Sequence, residues 1–143
     1  EFDYLFGCAW LIRTQSLKQV GLFDTSFFMY YEDADLCRRM RDKGWKNVRV
    51  GSTVIHHKAS LSSRLVPDEM VYLRARNRFW FYRRYRHGPL PALTYLALLL
   101  GSIRTVFIYL ITGKKSQISP YVKGTRYGIK QPVPPLTDTK WNW

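Results

Sequence analysis

Three carboxylates, Glu32, Asp33 and Asp35, fall together in Tyr30-Tyr31-Glu32-Asp33-Ala34-Asp35-Leu36. Acids at the start of a helix cap orphan N–H groups and meet the positive end of its dipole. Three acids exceed what capping one helix requires. Like-charged neighbours raise one carboxylate's pKa towards the working range, and aromatic walls partly desolvate it, the setting of a general base. The doublet His56-His57 is the other candidate cluster. Adjacent residues of a strand point to opposite faces, so only one of the two imidazoles can share a metal with the same partners. No HExxH and no further Cys/His cluster completes a site, and any metal must take ligands from elsewhere. Cys8 and Cys37 form no CxxC pair, which excludes a disulfide framework and a zinc ribbon. Both thiols read as small apolar fillers in a reducing compartment.

The elements that must position these groups follow from local pattern. Residues 5–12 form a continuous apolar run with an aromatic inside it, the pattern of a buried strand. A short helix should follow, capped by Thr14 or Ser16 and stopped by Gly21. A second helix is expected from Glu32 to Lys43, with acids in its first turn, bases in its last, and Gly44 closing it. Leu36 and Met40 are spaced to face the core together. Residues 47–56, rich in Val, Thr and Ile, suggest a strand ending at His56-His57. Beyond Pro67 a polar and aromatic helix should span 68–86, broken by Pro89 and Pro91. The tail from Gly113 has little periodicity and reads as loop or peripheral wrapping.

The 143 residues carry 23 Lys+Arg against 10 Asp+Glu, a net charge of +13. With 46% hydrophobic and 16% aromatic residues the chain is too apolar for a disordered polycation. Positive charge gathers in the run from Arg74 to His87, so a polyanionic partner is expected: nucleic acid, anionic lipid or a phosphorylated substrate. Residues 93–112 are the longest apolar stretch. Their aliphatic residues and Phe favour membrane insertion by roughly 5 kcal/mol, and Arg104 with the Gly, Ser and Thr residues offsets most of it. Leu93, Leu96, Leu100, Ile103, Phe107 and Leu110 repeat along one helix face, which suits a helix lying against something apolar. The chain begins without Met and runs straight into Leu5–Ile12, the pattern expected of a fragment of a longer protein.

Taken in order, Gly7-Cys8-Ala9-Trp10-Leu11-Ile12-Arg13, Val20-Gly21-Leu22-Phe23-Asp24 and Phe27-Phe28-Met29-Tyr30-Tyr31-Glu32-Asp33-Ala34-Asp35-Leu36-Cys37-Arg38-Arg39 resemble the second half of a family 2 glycosyltransferase. The similarity is greatest to rhamnosyltransferase-like members that build bacterial surface polysaccharides. Gly44-Trp45, Val54-Ile55-His56-His57 and Ser60-Leu61-Ser62 keep the family's order, and Arg74-Ala75-Arg76-Asn77 resembles its Arg/Asn-containing helix.

The resemblance implies an α/β chain: residues 1–66 as the C-terminal, acceptor-side half of a GT-A (nucleotide-diphospho-sugar transferase) domain. Residues 67–143 would form a helical, membrane-associated region. It implies an inverting transfer of a sugar, rhamnose by similarity, from a nucleotide-sugar to a glycan or lipid-linked acceptor. The expected location is cytoplasmic, at the inner face of a bacterial plasma membrane, against an anionic lipid surface. Asp33 matches the family's catalytic base. His56, and less closely His57, match the His that helps hold a divalent cation, Mg or Mn. Glu32, Tyr31 and Trp10 would line the acceptor pocket, while Asp24 and Asp35 serve turn and helix-start structure. The family's nucleotide-binding half and its Asp-x-Asp metal motif have no counterpart here, since Asp33-Ala34-Asp35 occupies the base position. The chain alone is therefore expected to be inactive. Two other classes remain as alternatives. One is a nucleic-acid-binding module, from the bases interleaved with Phe79, Trp80, Phe81, Tyr82 and Tyr85. The other is a membrane-peripheral protein without catalysis.

Overall fold

The computed structural model describes residues 1–57, 66–85 and 91–137. Ser60-Leu61-Ser62, Arg86, His87 and Pro89, which entered the sequence reading, lie outside them. The chain divides into two compact units, Glu1–Ser60 with Pro134–Trp143, and Leu61–Val133.

In the first unit helix α1 spans Thr14–Val20 and α2 spans Glu32–Asp42. Arg13, not Thr14 or Ser16, occupies the N-cap of α1, and no side chain caps that end. The Ser16 hydroxyl turns back to donate to the Arg13 carbonyl at 2.7 Å. Gly21 ends the helix as expected: at φ 81° its N–H donates to the Leu17 carbonyl at 2.7 Å. Helix α2 holds Glu32, Asp33 and Asp35 in its first turn and Arg39 and Arg41 in its last, and Gly44 turns at φ 84° beyond it. Val20, Leu36 and Met40 form a buried cluster against which Trp10, Ile12, Leu17 and Trp45 pack.

The expected strands 5–12 and 47–56 do not form. Among the described residues the one pairing is an isolated antiparallel bridge, in which the Phe2 N–H donates to the Asn47 carbonyl at 2.8 Å. Every residue from Val48 to His57 is exposed. A β-prone sequence becomes a strand only where a neighbour takes its N–H and C=O groups, and none is present among these residues. The cysteines also divide. Cys37 is a buried filler whose thiol burial pushes above its usual pKa, whereas Cys8 is exposed and fills nothing.

In the second unit α3 (Pro67–Arg84), α4 (Pro91–Ile111) and α5 (Ile118–Lys130) pack together, with a short 3₁₀ turn at Lys115–Gln117. Pro91 opens α4, whose first turn tolerates the missing N–H; α3 has already stopped at Arg84. The tail expected to be loop contains α5. Its buried positions are Tyr121, Gly124 and Gly128, and glycines leave no mark in a hydrophobic pattern. They let the backbones of α3 and α5 meet. A Cβ on Gly128 would lie 2.6 Å from the Arg76 carbonyl oxygen, and one on Gly124 would overlap that of Tyr72.

The basic run is less of a surface than its composition suggested. Arg76 stacks on Trp80, 4.3 Å from the ring centroid. Arg83 donates to the carbonyls of Gly128 and Gln131, both at 2.6 Å, capping the C-terminal end of α5 with a cation. Arg78 donates to the Leu98 carbonyl at 3.2 Å, the Ser102 hydroxyl at 2.5 Å and the Tyr121 hydroxyl at 3.2 Å. It thereby fastens α3 to both α4 and α5.

Candidate active site

The approach to α2 is built on a turn and then on strain. Asp24 is buried and accepts the Ser26 N–H at 2.9 Å and the Thr137 hydroxyl at 3.0 Å. This is the structural role its position in the turn suggested. Phe27 is fully buried behind it. Phe28, Tyr30 and Tyr31 then adopt φ of 56°, 66° and 71°. Left-handed backbone costs a bulky L-residue on the order of 1 to 2 kcal/mol, and such conformations gather where function fixes them. Tyr31 is the N-cap of α2, and its carbonyl accepts the Asp35 N–H at 2.8 Å. The strained turn thus sets the direction in which the first residues of α2 project.

The three acids of that turn have different surroundings. Asp35 is completely buried, and its Oδ2 accepts from Arg39 Nε at 2.8 Å. The same guanidinium donates to the carbonyls of Val20 at 2.5 Å and Leu22 at 2.7 Å, joining the end of α1 to α2. Asp35 is therefore structural. Asp33 is only half-buried and is held by backbone alone. Its Oδ2 accepts the Gly7 N–H at 3.1 Å and its Oδ1 the Ala34 N–H at 2.8 Å. Each oxygen retains a further lone pair for an incoming hydroxyl. Glu32, also half-buried, has an Oε2 that is shielded from water with no hydrogen-bond partner. Burial raises its pKa above the usual carboxylate value, and the charge of Asp33 adds to the rise.

Tyr4 belongs to the same neighbourhood. Burial first, then the charge of Asp33 and smaller effects of Cys37, Tyr31 and Glu32, push its hydroxyl up to about 12. Sequence reasoning passed over Tyr4, which belongs to no motif, and took Gly7 for strand backbone. The strain at Phe28, Tyr30 and Tyr31 also leaves no mark in the residue types, because aromatics favour extended backbone.

Tyr31, Glu32 and Asp33 are thus brought together at one helix start. Trp10 is placed otherwise: its Nε1–H donates to the Phe6 carbonyl at 2.8 Å, and its ring stacks on Phe23 and packs on the apolar cluster. His56 and His57 are exposed at the end of the 48–57 stretch. Among the described residues no three His, Cys, Asp or Glu side chains gather where they could hold a metal ion. These residues alone do not fit a cation centre.

No family model matches the chain, and no solved structure matches it. Curated proteins do. Over 133 residues the chain is 27% identical to the low-salt glycan biosynthesis hexosyltransferase Agl10 of Haloferax volcanii, covering 90% of this chain and 42% of that protein. Over 76 residues it is 45% identical to the N-acetylglucosaminyl-diphospho-decaprenol L-rhamnosyltransferase of Mycobacterium tuberculosis, covering 52% of this chain and 24% of that protein. The chain spans less than half the length of either relative. Its similarity is to glycosyltransferases.

Proposed function

We propose that residues 1–57 carry the acceptor side of an inverting, GT-A type glycosyltransferase, with Asp33 as its general base. The observation that supports this most is the Asp33 carboxylate, half-buried at the start of α2, each oxygen held by one backbone N–H, behind a turn with left-handed Tyr30 and Tyr31. In this reading an acceptor hydroxyl attacks the anomeric carbon of a nucleotide-sugar. Its proton passes to a free lone pair of Asp33, and the sugar–oxygen bond breaks with its electron pair going to the departing nucleoside diphosphate. Fixed orientation matters here because the base must meet the proton along a single line of attack. Glu32 and Tyr31 stand beside Asp33 to receive the acceptor, while Trp10 supports the segment that carries Gly7.

The donor is a nucleotide-sugar, with rhamnose the sugar suggested by one relative's name, and the acceptor is a glycan or a lipid-linked glycan. The donor-binding half belongs to sequence outside this chain. The enzyme would work on the cytoplasmic face of the plasma membrane. A divalent cation at the diphosphate, with His56 or His57 contributing, would need its other ligands from that outside half; no step here is routed through one.

The test is Asp33→Asn in the full-length enzyme. Transfer should fall to background while nucleotide-sugar binding, followed by calorimetry, is unchanged. Retained turnover would remove Asp33 as the base.

A further inference from the structure

Helix α4 is long and apolar enough to cross a membrane, yet it presents two unlike faces. Tyr95, Leu98, Ser102 and Tyr109 share one of them. The Tyr95 ring meets Phe79 of α3 at 5.9 Å, the Tyr109 ring meets Tyr121 of α5 at 5.8 Å, and Leu98 and Ser102 receive Arg78. These contacts run along the helix from its first turns to its last. On the opposite face Leu93, Leu96, Leu100, Ile103, Phe107 and Leu110 are each about half exposed or more. A continuous apolar face of this kind marks a contact surface.

We infer that α4 lies in the plane of an anionic lipid bilayer, this face in the boundary between headgroups and acyl chains and the α3–α5 side towards water. Charge identifies the occupant. Between Glu69 and Asp138 the chain has no acid at all, and Arg104 on α4 and Lys114 and Lys115 just beyond its end are exposed. A second copy of the chain would bring the same bases against each other, whereas an anionic surface attracts them. Arg104 follows Leu100 by four residues and precedes Phe107 by three, so it flanks the apolar face. There its stem can cover apolar surface while its guanidinium rises to the phosphates.

Arg78 argues against a spanning orientation. It is bonded to the middle of α4 from a helix that also carries Arg74, Arg76, Arg83 and Arg84. Burying the mid-point of α4 in hydrocarbon would draw that cationic helix in with it, and a charge at the bilayer centre is heavily penalised. Lying flat, α4 keeps all of α3 and α5 on the aqueous side. None of these residues belongs to the carboxylate site.

The experiment is flotation of the full chain with vesicles of phosphatidylcholine, with and without phosphatidylglycerol. Binding should require the anionic lipid and weaken as salt is raised. Leu100→Asp and Ile103→Asp, with folding verified by circular dichroism, should each lower partition by about tenfold or more. Depth is read from a fluorophore on Leu93→Cys, Ile103→Cys or Leu110→Cys in a Cys8→Ser background, quenched by spin-labelled lipids. A flat helix gives three equal, shallow depths and is released by alkaline carbonate. A deep Ile103 position with resistance to carbonate, indifference to lipid charge, or a dimer in sedimentation that shields the three positions from labelling would each overturn the inference.

Discussion

The backbone N–H of Gly7 donates to Asp33 Oδ2 at 3.1 Å, across 26 residues of chain. The two residues touch closely enough that a Cβ added to Gly7 would stand 3.3 Å from the Asp33 Cβ. An alanine there must push Asp33 by a few tenths of an ångström or move the loop that supplies the hydrogen bond. A misplacement of about 1 Å can reduce a catalytic rate a hundredfold. With Asp33 as the proposed base, Gly7→Ala in the full-length protein should therefore lower kcat by about tenfold, with the KM for the proposed nucleotide-sugar donor little changed. Steady-state kinetics against donor and acceptor separately would check this.

Two residues further on the outcome should be opposite. Asp35 is fully buried and bonded to Arg39, whose guanidinium also holds the carbonyls of Val20 and Leu22. Removing one partner of a buried ion pair leaves the other charge uncompensated, at a cost of about 3 kcal/mol or more. Asp35→Asn should lower the urea midpoint accordingly and leave the rate per folded molecule unchanged. The double variant Asp35→Leu, Arg39→Met should be milder than Asp35→Asn alone, because it leaves no buried charge behind.

The helix that carries Asp33 and Asp35 is legible in the sequence in part. The dipole argument located α2 to within a residue of its end, and Leu36 and Met40 at helical spacing were bound to share its buried face. Gly21 and Gly44 announced their stops because few other residues tolerate φ near 80°. The strands expected over 5–12 and 47–56 do not form for a physical reason: an apolar or β-prone run encodes a preference, while a strand also needs a neighbour for its backbone. Helix α5 escapes a hydrophobic pattern because two of its three buried residues are glycines, whose contribution is close approach instead of hydrophobicity. The positive φ of Tyr30 and Tyr31 runs against the extended preference of aromatic residues, so no local pattern of residue types records that turn.

The buried, unpartnered Oε2 of Glu32 makes its raised pKa a statement about stability. The folded state binds the proton more tightly than the unfolded chain, so this group favours folding below the unfolded carboxylate pKa. That contribution is lost as pH rises through the higher folded value. At neutral pH the ionised carboxylate opposes folding, and Glu32→Gln should stabilise the chain. The gain should be below about 1 kcal/mol, since the half-exposed group remains screened by water. Denaturant unfolding at neutral and at acidic pH would reveal it as a difference that shrinks as the solution is acidified through the carboxylate range. A difference independent of pH would contradict burial of the charge as its cause.

Gly124 and Gly128 stand four residues apart on α5, facing the carbonyls of Tyr72 and Arg76, which are themselves four apart on α3. The obstruction at each site is backbone, and Phe79 Cβ also lies 2.9 Å from the position of an added Cβ at Gly128. Neither obstacle can rotate away as the end of a long side chain would. Alanine ordinarily favours a helix over glycine by about 1 kcal/mol, so intrinsic propensity predicts that either substitution stabilises. Overpacking predicts the reverse, a loss of about 1 to 3 kcal/mol as α5 is forced off α3. The contact distances favour the second effect, because real Cβ atoms do not approach a carbonyl oxygen this closely. Gly124→Ala and Gly128→Ala should each lower the thermal midpoint followed by circular dichroism. The exposed neighbour Lys123→Ala, which meets no such wall, should leave it nearly unchanged. A rise in midpoint for both glycine variants would contradict overpacking as the dominant effect.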